Sequence, residues 1–181
     1  ENLGGRACRW VGWLTASRAL AQRRTGQIDA ALQTLQAGAR VTRNTPYALA
    51  LQLNLGLLLT SQGRYEEAAA ATATLAGLAP MGTARQQYIR FRAARHRGDA
   101  ATAADALARV EALGDEGREV HCELLLVDER RDEAAAVLIA QLHSETLRGR
   151  TLQSLQTLRT VDSLPADAAI DARWRQLKAR P

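Results

Sequence analysis

The sequence predicts an all-α protein, a stack of antiparallel helix pairs. Three observations predict it. A turn motif recurs. Gly26-Gln27-Ile28-Asp29-Ala30-Ala31 is echoed by Gly63-Arg64-Tyr65-Glu66-Glu67-Ala68 and by Gly98-Asp99-Ala100-Ala101-Thr102-Ala103. A degenerate fourth copy is Arg130-Arg131-Asp132-Glu133-Ala134-Ala135, and the intervals are 37, 35 and 32 residues. Each copy falls between two stretches whose apolar residues recur at helical spacing. The composition agrees. Alanine and leucine dominate the apolar set, aromatics make up only 4 %, and no segment alternates as a half-buried strand does.

The elements follow in order. The first helix is expected over about Arg9 to Arg24, with Trp10, Trp13, Leu14 and Ala21 on one face and the tryptophans sealing it onto the stack. Its partner runs from Gln27 to Ala39, with Ile28, Ala31, Leu32 and Leu35 inward. Thr45 and Pro46 start the next helix as N-cap and first-turn residue, and it continues to Gly63. Tyr65 to Leu78 is its partner, stopping before Pro80. Thr83 is expected to cap a helix ending near Gly98, followed by one from Ala100 to Leu113. Asp115 is expected to cap a helix through Leu124, Leu125 and Leu126, paired with Asp132 to His143. Leu147 to Val161 and Ala166 to Leu177 then read as two capping helices, which an open-ended stack requires. The reading is one domain over residues 1–181, with repeats at 10–40, 46–79, 83–113 and 115–145 and capping helices over 147–178.

Charge points to the class of partner. The formal net charge is +5 with a pI near 10, and Lys178 is the only lysine among arginines, a bias that fits the codon usage of a GC-rich bacterial genome. Residues 1–100 carry 13 basic and 5 acidic side chains, whereas residues 101–181 carry 11 and 14, so the first half is the better place to meet an acidic partner. No run approaches the roughly 18 apolar residues that span a bilayer. The sequence opens on Glu1 and leaves the compartment open, the cytoplasm being the first expectation and the periplasm the second.

Chemistry-bearing motifs are sparse. Cys8 and Cys122 are far apart and are expected to be free, and His96, His121 and His143 offer no zinc spacing. There is no phosphate-cradling glycine loop and no nucleophile elbow. The expectation is therefore a non-enzyme without metal or cofactor.

The stretch from Leu55 to Pro80 resembles the tetratricopeptide repeat family. Its leucine–glycine pair, large residue, turn glycine, tyrosine, alanine and closing proline are matched by Leu55, Gly56, Leu59, Gly63, Tyr65, Ala68 and Pro80. The repeats around Gly26 and Gly98 keep the turn glycine and the small residue; Gln52 and Thr72 stand where the family has large aromatics. The resemblance implies a right-handed superhelical stack, an α-solenoid, in which the first helix of each pair lines a concave groove that holds a peptide of another protein. In that frame Asn54, just before the leucine–glycine pair, stands where the family bonds a peptide backbone. Arg85, Arg92 and Arg95, with Tyr88 between them, share one helical face on the groove side, and guanidinium forks suit carboxylates. The lysine and second asparagine of the chaperone-tail clamp are missing, with Ala16 and Leu20 in their places.

The function expected is a protein-binding scaffold whose groove takes a peptide or partner protein, acidic by the charge argument, with Asn54, Arg85, Tyr88, Arg92 and Arg95 as its contacts. Two alternatives stand beside it: a basic helical repeat that binds nucleic acid, and a repeat segment of a larger bacterial regulator or enzyme. Self-association into a homodimer is a further expectation, because open stacks expose apolar faces.

Overall fold

The computed structural model describes residues 3–43, 45–156 and 164–179, and among these it is all-helical, with no strand. The helices are α1 (Leu3–Arg24), α2 (Ile28–Val41), α3 (Pro46–Ser61), α4 (Tyr65–Thr72), α5 (Pro80–Arg97), α6 (Ala100–Glu111), α7 (Arg118–Val127), α8 (Arg131–His143), α9 (Arg148–Gln156) and α10 (Ala168–Lys178), with a 3₁₀ turn at Gly114–Glu116. Each of α2 to α9 packs on its predecessor, and α1, α3, α5 and α7 also touch in series.

The repeated motif does what its residues dictate. Gly26, Gly63 and Gly98 adopt φ of 75°, 75° and 72°, the left-handed conformation that ends a helix and turns the chain back. Five residues later Ala31, Ala68 and Ala103 are buried where the next helix closes in. The fourth copy is shifted by one residue from the expected register. Glu129 takes the glycine's place, with φ 63°, and Ala134 is the fully buried small residue. Arg130 and Glu133 then form the same bidentate pair as Arg64 and Glu67. Glycine was the marker of this turn, and an acidic residue there hides it.

Several helix ends differ from expectation, each for a local reason. α4 stops at Thr72, because the Gln86 amide takes the carbonyls of Thr72 and Leu75 at 2.7 and 3.1 Å. α5 starts at Pro80 rather than Thr83; Ala79 is extended and the proline lacks an N–H that the first turn would leave unbonded. Asp115 lies in the 3₁₀ turn and pairs with Arg118 at 2.8 Å instead of capping α7. Thr45 precedes Pro46 as expected, but its hydroxyl donates to the Thr42 carbonyl and does not cap. Asp99 caps α6, accepting from the Thr102 N–H at 3.0 Å. The expected Leu147–Val161 helix is present as α9, and its last residues lie outside the described ones.

The core forms three clusters: Leu32, Leu35, Leu51, Leu58 and Ile89 among α1 to α5; Phe91, Val110 and Leu124 among α5, α6 and α7; and Cys122, Leu125, Leu126, Ile170 and Leu177 between α7, α8 and α10. Gly56 lets three helices meet. A Cβ there would stand 2.6 Å from Thr72 Cγ2 and 2.9 Å from Ile89 Cδ1. α1 reverses the expected polarity. It turns Gly12 and Ala19 to its neighbours and leaves Trp10 and Trp13 56 % and 60 % exposed, the two rings edge-to-face at 6.1 Å. Tyr47 comes so close at Gly12 that no bulky residue fits that face. The tryptophans therefore do not seal the stack.

α10 does not prolong the row of helices. α9 packs on α8, whereas α10 lies against α7 and α8. Ile170, Trp174 and Leu177 recur at helical spacing and sink into the third cluster.

Candidate functional site

A groove of about 700 Å³ runs across α1, α3, α5 and α7, with α10 and the turn before it as one wall. Trp13, Ser17 and Leu20 come from α1, Asn54, Leu57 and Leu58 from α3, Met81, Arg85 and Tyr88 from α5, and Glu119 and Glu123 from α7. All face one way because these four helices follow the same turn spacing and touch in series. Its lining carries charges of both signs, Arg23, Arg24 and Arg85 together with Glu119, Glu123, Asp167 and Asp171. A ligand here meets apolar side chains among charges of both signs.

The expected site residues separate into three groups. Asn54, Arg85 and Tyr88 line the groove together. Among the described residues, Asn54 and Arg85 have no hydrogen-bond or ion-pair partner, so both present open donors. Arg92 is 5 % exposed and committed internally. Its Nη1 donates to Tyr88 Oη at 2.6 Å and to Asp167 Oδ1 at 3.2 Å, and its Nη2 to Tyr65 Oη at 3.1 Å and the Ala166 carbonyl at 2.9 Å. The guanidinium also sits 5.4 and 5.5 Å from the centroids of the Tyr65 and Tyr88 rings. Burial raises the Tyr88 phenol above its ordinary range, so it stays protonated. Arg92 thus fixes the groove wall and is not available to a ligand. Arg95 is not part of the groove lining and pairs with Asp128 at 3.0 Å.

The second wall was not foreseen. Asp167 and Trp174 reach the groove because Arg92 gathers residues far along the chain, and because Arg173 donates to the carbonyls of Leu126 and Val127 at 2.8 and 3.1 Å and pairs with Glu129. No local spacing announces such contacts. Arg23 and Arg24 read only as the basic end of a helix.

Among the described residues, no three His, Cys, Asp or Glu gather as a metal site. Cys122 is buried, its Sγ donating to the Ala134 carbonyl at 3.5 Å, and burial pushes its thiol up to about 12. No described helix is long and apolar enough to cross a membrane. No protein-family model, curated protein or solved structure matches this chain.

Proposed function

We propose that the chain is a protein-binding module, a tetratricopeptide-like right-handed stack whose groove takes an acidic peptide of a partner. The carrying observation is the pair of open donors, the Asn54 amide and the Arg85 guanidinium, above the apolar floor of Leu57 and Leu58. The serial packing of α1, α3, α5 and α7 supports the stack. In this reading Arg85, with Arg23 and Arg24, meets carboxylates, Asn54 bonds the peptide backbone, and Tyr88 gives an aromatic contact. Binding orders little of the receptor, since Arg92 already holds the opposite wall. A peptide can confine its carboxylates to Arg23, Arg24 and Arg85, whereas a nucleic acid carries a phosphate at every residue and would also meet Glu119, Glu123 and Asp171, which line the same space.

The test is affinity capture from cell lysate with wild type and the Asn54→Ala/Arg85→Ala variant, Arg95→Ala serving as control. A protein retained by wild type and Arg95→Ala, released by the groove variant and insensitive to nuclease, is the expected outcome. Equal retention by the groove variant sinks the proposal. Capture that depends on nuclease-sensitive material and falls steeply with salt favours the nucleic-acid alternative.

A further inference from the structure

Segment 164–178 is held on the stack in the way a bound peptide would be. It is out of chain order: α2 to α9 each pack on the helix before, whereas α10 lies on α7 and α8. Its leading turn gives Arg92 a carboxylate, Asp167 at 3.2 Å, and a main-chain carbonyl, Ala166 at 2.9 Å, two acceptors that any peptide can offer a guanidinium fork. Its arginine, Arg173, donates to the carbonyls of Leu126 and Val127, which the end of α7 leaves open. Ile170, Trp174 and Leu177 form its apolar face. The receiving groups are held by the stack itself. Arg92 also donates to the hydroxyls of Tyr88 and Tyr65, at 2.6 and 3.1 Å, so its guanidinium keeps its place without the segment. The fit is incomplete at one atom. Trp174 Nε1 is buried and meets no acceptor among the described residues. A buried N–H without a partner costs the docked state part of its stability. An aliphatic or phenyl side chain in that position keeps the apolar contact and carries no such donor.

We propose that Arg92 and the end of α7 form a second binding surface, that segment 164–178 is its exchangeable resident, and that its partner is a short amphipathic helix of another protein. That helix is led by an aspartate in the place of Asp167 and carries an arginine in the place of Arg173. Its apolar residues stand where Ile170, Trp174 and Leu177 stand, with no indole at the middle position. The resident is tethered, so its local concentration is high and it excludes weak competitors. Only a helix that fits better enters, and the orphaned indole N–H leaves room for one. The exchange replaces one wall of the groove by another of the same chemistry. It asks nothing of Asn54 or Arg85 and does not rest on what the groove binds.

The probe is a fluorescein-labelled peptide of residues 164–179 with Trp174→Phe. It is titrated by anisotropy against the full wild-type chain and against full-length Ile170→Ala/Leu177→Ala, whose resident is loosened by the loss of two buried side chains. Saturable binding to the loosened chain is expected, about tenfold or more tighter than to wild type, where the tethered segment competes. Asp167→Asn or Arg173→Gln in the peptide weakens it by about tenfold, since each removes a charge-assisted bond. The peptide that keeps Trp174 binds more weakly than the phenylalanine one. Asn54→Ala/Arg85→Ala in the loosened chain leaves binding unchanged, which separates this surface from the groove. A loosened chain that loses its helical circular dichroism, or keeps it and refuses the peptide, marks the segment as a permanent part of the fold and overturns the proposal. Equal binding to both chains overturns it as well, because the peptide then lies elsewhere. So does self-association of the loosened chain without peptide binding, read by light scattering, which assigns the surface to a second copy.

Discussion

Arg92 shows how a residue's type can be read from the sequence while its role is not. Its guanidinium fork, placed between Tyr65 and Tyr88, suits a carboxylate, and the carboxylate it holds belongs to Asp167 of the same chain. Removing one partner of a buried pair strands the other. Arg92→Ala is expected to lose about 3–5 kcal/mol, read by urea denaturation. Arg92→Lys recovers only part of that, since an ammonium lacks the planar fork. Arg85→Ala, at an exposed position, is expected to stay within about 0.5 kcal/mol of wild type. Cys122 carries a second prediction at this scale. The native thiol, pushed up to about 12 by burial, resists aromatic disulfide reagents at pH 8 and reacts on unfolding. The sign of its pH dependence follows. An unfolded thiol ionises near 9 and the folded one does not, so Cys122 contributes a loss of stability as pH rises from about 9 to about 12. Denaturant midpoints measured from pH 8 to pH 10 check this against Cys122→Ala, whose profile should be flatter.

At the scale of elements, glycine was the legible signal. Gly26, Gly63 and Gly98 marked three turns because glycine enters the left-handed region without strain. A Cβ on Gly98 meets nothing within 4 Å, so Gly98→Ala should cost about 1–2 kcal/mol from the backbone alone. Gly56→Ala should also cost about 1–3 kcal/mol, by overpacking against Thr72 and Ile89. The two costs are separable by a double-mutant cycle in thermal melts. Thr72→Ala should offset much of the Gly56→Ala loss and none of the Gly98→Ala loss. Helix periodicity placed most of the helices, because each buries one apolar stripe. It misplaced the ends of α4 and the start of α5, where a side-chain amide and a proline decide between competing stops. The orientation of α1 was also missed. Tryptophan is ordinarily a core residue, and only the close approach of Tyr47 to Gly12 shows why the small side faces inward.

For the whole molecule, the all-helical class was readable and the groove only half so. Asn54, Arg85 and Tyr88 are found together because turn spacing fixes which residues of successive helices share a side. The opposite wall depends on contacts between residues 74 and 75 positions apart, and no periodicity encodes those. The same contacts change how the molecule comes apart. A row of helix pairs in which each touches only its neighbours melts piecemeal, from either end. Here Leu164 packs on the first cluster, Arg92 in α5 grips Ala166 and Asp167, and Ile170 and Leu177 enter the third. Segment 164–178 therefore bridges the first and third clusters, and couples their melting. Hydrogen exchange should show α3 to α8 opening together in wild type, and Arg92→Ala should let the α7–α8 end open on its own. The short C-terminal helix turns a linear array into one cooperative unit.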